Sequence, residues 1–118
     1  MPNPPKSVGL FRKFVSTARS ITTGQVSIPL GVRRLDKHLY WLSDYNIKPL
    51  NDAEVATVKE YCALIREFPI EQERNYWAPG VLKEIDERLD QITAKYQPEL
   101  MNILLRIVTE APASNYSA

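Results

Sequence analysis

The chain has 118 residues, of which 44% are hydrophobic and 25% are charged, and its formal net charge is +1 at pH 7. This length suits a single domain that buries its own core, and this composition is not that of a disordered chain. One cysteine, Cys62, excludes an internal disulfide, and the sequence has no Cys/His cluster for zinc, so we expect no metal site.

The sequence also argues against export and membrane insertion. Residues 1–7 lack the apolar region of a secretory signal, and no apolar run approaches the length of a membrane span. A lone cysteine in an apolar helical stripe fits a reducing compartment, where it serves as a small hydrophobic residue. We therefore expect a cytoplasmic protein that does not associate with membranes.

The charges are unevenly distributed along the chain. Residues 1–50 carry eight Lys or Arg against two Asp, whereas residues 51–118 carry seven Lys or Arg against twelve Asp or Glu. Either the two halves neutralise each other across helix contacts, or an exposed face meets a charged partner.

Hydrophobic spacing predicts a first helix that starts at Ser7. The hydroxyl of Ser7 would cap the helix, and Gly24 would end it in the left-handed conformation. The stripe that would face the core repeats at helical spacing: Leu10, Phe11, Phe14, Val15, Ala18 and Ile21. A second helix is predicted to open at Ser27, with Pro29 in its first turn, where a missing N–H costs little. A glycine inside a helix lowers the stability of that helix by about 1 kcal/mol relative to alanine. Gly31 therefore suggests that another helix approaches closely at this position.

Residues 44–49 are predicted to form a loop before a third helix with a strong start signal. Asn51 can cap this helix while the Glu54 side chain reaches back to the Asn51 amide, which is the capping-box spacing. The third helix should end at Phe68, because Pro69 disfavours helical geometry in the residue before it. The predicted inward stripe of this helix is Val55, Val58, Cys62, Ile65 and Phe68.

A polar connection over residues 69–78 leads to the longest helical pattern, which begins at Pro79. Apolar residues keep one phase along it: Leu82, Ile85, Leu89, Ile92, Tyr96, Leu100, Ile103 and Ile107. We expect one helix over residues 79–110, about 48 Å long and kinked near Pro98. Because an interior proline costs about 3 kcal/mol, a break into two helices at residues 97–98 stays open.

These elements predict an all-α fold of four helices, with three shorter helices packed on one long C-terminal helix that is kinked near Pro98. No stretch of useful length alternates between polar and apolar residues as a strand would. The single helical domain spans residues 7–110, and disordered tails are expected over residues 1–6 and 111–118.

The sequence offers no recognisable catalytic site, so we do not expect an enzyme or a bound cofactor. The single histidine, His38, has no carboxylate at a helical spacing that would make it a general base. Phosphate-binding glycine loops and the serine hydrolase motif are absent, and there are no Glu-x-x-His pairs of the kind that hold two metal ions in helical bundles. A ligand pocket near Arg34, His38 and Tyr61 is the alternative that these observations leave open.

Two charged surfaces remain as candidates for function. Basic residues cluster in the first two helices: Arg12, Lys13, Arg19, Arg33, Arg34, Lys37 and His38. Because the pI is near 7.8 and the second half is acidic, we do not expect nucleic-acid binding from them. The second surface spans the connection and the first turns of the last helix. We predict that it binds a partner through Glu71, Glu73, Arg74, Trp77, Glu84, Glu87 and Asp90. Tyr76 and Trp77 could instead fix the entry of the last helix to the core.

Two sets of residues carry a resemblance to a known group of proteins. The first is ARSITTGQVSIPLG at residues 18–31 with LYWL at residues 39–42, and the second combines Phe68-Pro69, Glu73-Arg74 and Trp77. Together they resemble small uncharacterised bacterial all-helical proteins, some of which are similar to immunity proteins of polymorphic toxin systems. In such proteins an acidic residue follows the tryptophan, whereas this chain has Ala78, so the resemblance assigns no role to that position.

The resemblance implies a protein-binding module that neutralises a cognate toxin by direct binding through a charged surface. An acidic surface would suit a basic partner such as a nuclease-like domain, because complementary charge speeds encounter and selects the partner. The alternative is a self-associating structural or regulatory helical protein without catalytic activity, including a homodimer. Such a protein would use exposed aromatic residues, for which the candidates are Tyr40, Tyr45 and Tyr76.

Overall fold

Four α-helices account for most of the residues that the structure describes. In the computed structural model they are α1 (Lys6–Thr22), α2 (Ile28–Ser43), α3 (Asp52–Ile65) and α4 (Pro79–Glu110). A short 3-10 helix, Gln72–Tyr76, lies in the connection before α4. The predicted all-α fold with a long C-terminal helix is confirmed.

The ends of the chain differ slightly from the prediction. The structure describes residues 6–110, so the predicted tails lie outside the described residues at positions 1–5 and 111–118. Lys6, which we assigned to the first tail, is already helical. Ser7 therefore lies inside α1 and is not its N-cap, because an N-cap residue precedes the first helical residue.

The helices form a bundle in which each packs against its neighbours in the chain, and α4 also packs against α1. α2 packs against α1 and α3 but makes few contacts with α4, so α2 and α4 lie at diagonal corners. The molecule measures 54 × 28 × 26 Å, and the 32 residues of α4 define its long axis. None of the helices in the described range is long and apolar enough to cross a membrane.

The fully buried residues of α3 are Val58, Tyr61 and Ile65. The other predicted inward residues, Val55, Cys62 and Phe68, are partly buried and pack against the core. Tyr61 has no exposed surface, and its hydroxyl lies 2.8 Å from Thr93 Oγ1 on α4. The prediction missed Tyr61, because a tyrosine enters an apolar core only when its hydroxyl finds a partner, and that partner lies far away in the sequence.

Most helix ends follow the local signals in the sequence. The Ser27 hydroxyl accepts from the Leu30 amide at 3.4 Å and caps α2. Asn51 and Glu54 form the predicted capping box of α3, with N–O distances of 2.8 and 2.9 Å. Gly24 has a φ of 78° just after α1, as predicted for a residue that ends a helix.

The end of α3 was predicted wrongly, because the helix stops at Ile65 rather than Phe68. The Arg33 guanidinium on α2 accounts for the early end. Its Nη2 donates to the carbonyl oxygens of Ile65, Arg66 and Phe68 at 2.7, 3.0 and 3.2 Å. These bonds satisfy carbonyls that the end of a helix leaves without partners.

The predicted close approach at Gly31 is confirmed. A Cβ atom at Gly31 would lie 2.3 Å from Cγ1 of Ile21, on the last turn of α1. A side chain there would force α1 and α2 apart or displace the Ile21 side chain. The glycine therefore allows these two helices to pack closely where the chain passes from one to the other.

α4 runs without a break from Pro79 to Glu110 with Pro98 inside it, so the alternative of two helices is excluded. Pro98 cannot donate to the carbonyl of Ala94 one turn earlier, but both residues are exposed, so water can bind that carbonyl. The buried residues of α4 begin only at its third turn: Leu89, Tyr96, Leu100, Ile103, Leu104 and Ile107. Its first turns therefore present much of their surface to solvent.

Arg106 fastens the C-terminal end of α4 to the start of α3. Its Nε donates to Glu54 Oε2 at 2.8 Å, and its Nη2 donates to the second Glu54 oxygen and, at 3.3 Å, to the Pro49 carbonyl. Its Nη1 donates to Glu110 at 2.8 Å. Burial alone would raise the pKa of Glu54, but the hydrogen bonds from Arg106 and the Asn51 amide outweigh burial and lower it.

Candidate interaction surfaces

The connection before α4 is anchored to that helix by Arg74. The guanidinium of Arg74 donates to both carboxylate oxygens of Asp86, from Nη1 at 2.7 Å and from Nη2 at 2.9 Å. Nη1 also donates to the Pro69 carbonyl at 3.1 Å. The hydrogen bonds from Arg74 lower the pKa of Asp86, so the pair stays charged at neutral pH. Sequence reasoning missed this pair.

The side chain of Glu73 also contacts other residues of the same chain. Its Oε1 accepts from the Ile70 amide at 3.1 Å and lies 3.7 Å from Nη1 of Arg33. Backbone hydrogen bonds, first from its own amide and then from that of Ile70, lower the pKa of Glu73. Glu73 and Arg74, two of the predicted partner contacts, are thus used to shape the connection.

Two aromatic side chains stand in solvent where the connection enters α4. Tyr76 is 91% exposed and Trp77 is 41% exposed. Val81, one turn into α4, is 45% exposed. Tyr76 therefore does not fix α4 to the core, and its exposure favours the alternative that an aromatic surface is held open for a partner.

On the exposed side of the first turns of α4, beside the exposed cations Lys83 and Arg88, lie three carboxylates, those of Glu84, Glu87 and Asp90. Within residues 6–110 they have no hydrogen-bond or ion-pair partner, and the side chain of Glu71 in the connection has none either. Six residues form what we call the acidic surface: Glu71, Tyr76, Trp77, Glu84, Glu87 and Asp90. It includes five of the seven predicted contact residues.

A second charged surface lies along α1 and α2, and we call it the basic surface: Lys13, Arg34, Lys37, His38 and Trp41. Desolvation lowers the pKa of His38, and repulsion from Lys13, Lys37 and Arg34 lowers it further, so these cations share one region. Trp41 is 41% exposed, with its ring centre 6.0 Å from Lys37 Nζ and 6.0 Å from the His38 ring.

Arg33, which the sequence groups with these cations, does not belong to the basic surface because it caps α3. The three cations Lys13, Arg34 and Lys37 form no ion pair within the described part of the chain. The two halves of the sequence are therefore paired only in part, through Arg33 with Glu73 and Lys59 with Asp36, and these three cations take no part in that pairing.

Two clefts of about 280 Å³ each lie between α2 and α3, and neither includes the predicted ligand pocket. One is lined by side chains at the end of α2 and by the loop before α3, including Leu39, Ile47 and Val55. The other contains Cys62 and an ion pair between Lys59 and Asp36, at 2.6 Å. Arg34, His38 and Tyr61 line neither cleft.

The thiol of Cys62 does not behave as a nucleophile in this environment. Burial raises its pKa to about 12, and the negative charge of Asp36 adds to the effect. At neutral pH the group is therefore a protonated thiol, which is unreactive. Across residues 6–110, no three His, Cys, Asp or Glu side chains lie close enough together to hold a metal ion.

No protein-family model, no curated protein and no solved structure matches this chain. The features that bear on its function are therefore the two charged surfaces and the way the fold holds them.

Proposed function

We propose that this protein neutralises a cognate bacterial toxin by direct binding, and that its acidic surface contacts the toxin. The observation that carries the proposal is the anchored connection. Arg74 fastens it to α4, and it leaves Tyr76 in solvent and Trp77 partly exposed next to the helix that carries the acidic residues. These described side chains are not arranged as a nucleophile with a base, so the surface is suited to binding rather than to catalysis.

An anchored connection favours binding because less disorder is lost when a partner docks. Each flexible side chain that binding immobilises costs about 0.5–1.5 kcal/mol, and a connection that is already ordered avoids part of that loss. Tyrosine and tryptophan anchor interfaces well because they bury a large area with few rotatable bonds. In this proposal Glu73 and Arg74 hold the surface in shape, and the direct contacts are Glu71, Trp77, Glu84, Glu87 and Asp90, joined by Tyr76.

The charge of the surface supports a basic partner, such as a nuclease-like toxin domain. Unpaired carboxylates attract a basic surface over several ångströms, which speeds encounter and discriminates against acidic proteins. The resemblance to immunity proteins points to a toxin as the partner, and the acidic charge points to a basic one. We place the complex in the cytoplasm, where a single free cysteine such as Cys62 stays reduced.

The test needs a candidate toxin, and the first choice is a large protein encoded by a gene adjacent to this one. Co-expression measures neutralisation, and calorimetry measures affinity for the wild type and for the double variant Glu84→Lys/Glu87→Lys. We expect the variant to bind at least about tenfold more weakly, because two attractive charges become repulsive ones. The variant should also lose neutralisation.

The matched control is Asp44→Lys/Glu99→Lys, which makes the same change in net charge at exposed positions outside the acidic surface. We expect it to bind within about twofold of wild type, since distant surface charges contribute little through solvent and salt. Equal weakening by both variants would mean that net charge, and not the acidic surface, governs binding. Unchanged binding by the first variant would contradict the proposal directly.

A further inference from the structure

We infer that the chain also binds a second copy of itself, with the basic surface of one copy against the acidic surface of the next. The inference does not depend on which partner the acidic surface meets in the proposed function. It follows from two surfaces of opposite charge that the fold leaves unpaired and keeps apart.

The first observation is that the basic surface has no counter-charge of its own. Lys13, Arg34 and Lys37 form no ion pair within residues 6–110, although the chain carries nearly equal numbers of acidic and basic residues. The lowered pKa of His38 reports both its desolvation and the positive field that these cations create. A surface in this condition gains from an acidic one that approaches it.

The second observation is that the two surfaces match in spacing and composition. Arg34 and Lys37 stand three residues apart on α2, and Glu84 and Glu87 stand three residues apart on α4, so both pairs have the same separation along a helix. Each surface also has one tryptophan that is 41% exposed, Trp41 and Trp77. Aromatic residues near the centre with charged residues around them are the usual composition of a protein interface.

The position of the two surfaces determines how copies assemble. α2 and α4 lie at diagonal corners of the bundle, so a copy that has docked one surface still presents the other to solvent. Such a contact joins two different surfaces, and its repetition adds copies head to tail rather than closing a symmetric pair. A toxin on the acidic surface competes with this assembly, because both would occupy the same residues.

Sedimentation velocity of the full chain over increasing concentration, up to about 1 mM, tests the inference. At about 0.01 M salt we expect a sedimentation coefficient that rises steadily with concentration and shows no plateau at a dimer. At about 0.1 M salt the association should weaken clearly, because the screening length falls from about 30 Å to about 10 Å. A chain that stays monomeric at every concentration and at low salt would overturn the inference.

Charge reversal then identifies the surfaces. Arg34→Glu/Lys37→Glu and Glu84→Lys/Glu87→Lys should each be monomeric, because in the first variant the two surfaces repel and in the second the acidic surface has lost the net charge that attracts the basic one. An equimolar mixture of the two variants should associate again, because the unchanged acidic surface of the first variant can meet the unchanged basic surface of the second. Failure of the mixture to associate would show that the two surfaces do not meet.

The control for the basic surface is Lys48→Glu/Arg66→Glu, which reverses two exposed cations outside it and should associate as the wild type does. A melting curve for each variant confirms that it is folded. The Arg34→Glu/Lys37→Glu variant should still bind the cognate toxin, so this inference and the proposed function can fail separately. Binding of a single-stranded oligonucleotide to the basic surface of a chain that stays monomeric would instead assign that surface to nucleic acid.

Discussion

Arg106 and Arg74 make the same kind of contact near the two ends of α4, but in different surroundings. Each guanidinium donates to both oxygens of one carboxylate and to the carbonyl of a proline in a connection before α3 or α4. The partner of Arg106, Glu54, has a side chain that is 15% exposed, whereas the partner of Arg74, Asp86, has one that is 40% exposed.

The difference in exposure separates a contact that stabilises the fold from one that shapes a surface. Solvent screens an exposed ion pair, and such pairs contribute about 0–1 kcal/mol. A partly buried pair interacts more strongly, and loss of one member leaves the other charge poorly solvated. The Arg106 pair should therefore stabilise the whole bundle, while the Arg74 pair should mainly order the acidic surface.

The largest expected effect is that of Arg106→Met. Methionine keeps much of the side-chain volume but leaves the carboxylate of Glu54 without its donors, which we expect to lower the free energy of unfolding by about 2 kcal/mol. Urea unfolding followed by circular dichroism measures the change. Glu110→Gln is the control, since it removes only the exposed partner of Arg106 and should cost less than about 0.5 kcal/mol. Comparable losses in the two variants would break the distinction between buried and exposed pairs.

Arg33→Met should have the second largest effect and extends the comparison to the other end of α3. The substitution removes three hydrogen bonds to backbone carbonyls at the end of that helix, and we expect a loss of about 1–2 kcal/mol. Hydrogen exchange at residues 62–70 should accelerate, because these residues lose the donor that orders them. Unchanged exchange there would show that Pro69 and local packing end the helix without help from Arg33.

The contacts of Arg33 and Arg106 show which parts of the fold could not be predicted from the sequence. The capping box of Asn51 and Glu54, the turn at Gly24 and the close approach at Gly31 were all predicted, because each signal lies within a few residues or in one glycine. Arg33 and Arg106 act on groups more than thirty residues away, and no local pattern indicates such a pair. The carboxylates of the acidic surface were predicted from the sequence as partner contacts, whereas the anchor that orders the connection, Arg74 with Asp86, became visible only in the fold.

Acid unfolding of the wild type tests the same two ion pairs without a substitution. Hydrogen bonds lower the pKa of Glu54 below 4.5 and that of Asp86 below 3.8. A carboxyl group whose pKa is lowered by folding stabilises the protein above its unfolded pKa, and this contribution disappears as the pH falls through the folded value. The wild type should therefore lose stability as the pH falls below 4.5.

Two variants assign this loss to its source. Glu54→Gln should remove a larger part of the acid-dependent loss than Asp86→Asn does, because the Glu54 side chain is the less exposed of the two. The free energy of unfolding measured between neutral pH and pH 2 decides the order. An equal pH dependence in both variants would mean that burial does not distinguish the two pairs.

The smallest effect on stability is expected for Arg74→Met, and it is the effect with the greatest bearing on function. Because solvent screens the pair with Asp86, the free energy of unfolding should fall by less than about 1 kcal/mol. Hydrogen exchange at residues 70–77 should nevertheless accelerate, since the connection loses its bonds to both Asp86 and the Pro69 carbonyl. If the proposed function is right, toxin binding should weaken several-fold, because the disordered connection must then be ordered on binding. Faster exchange with unchanged affinity would show that the toxin contacts α4 alone, and would exclude Tyr76 and Trp77 from the interface.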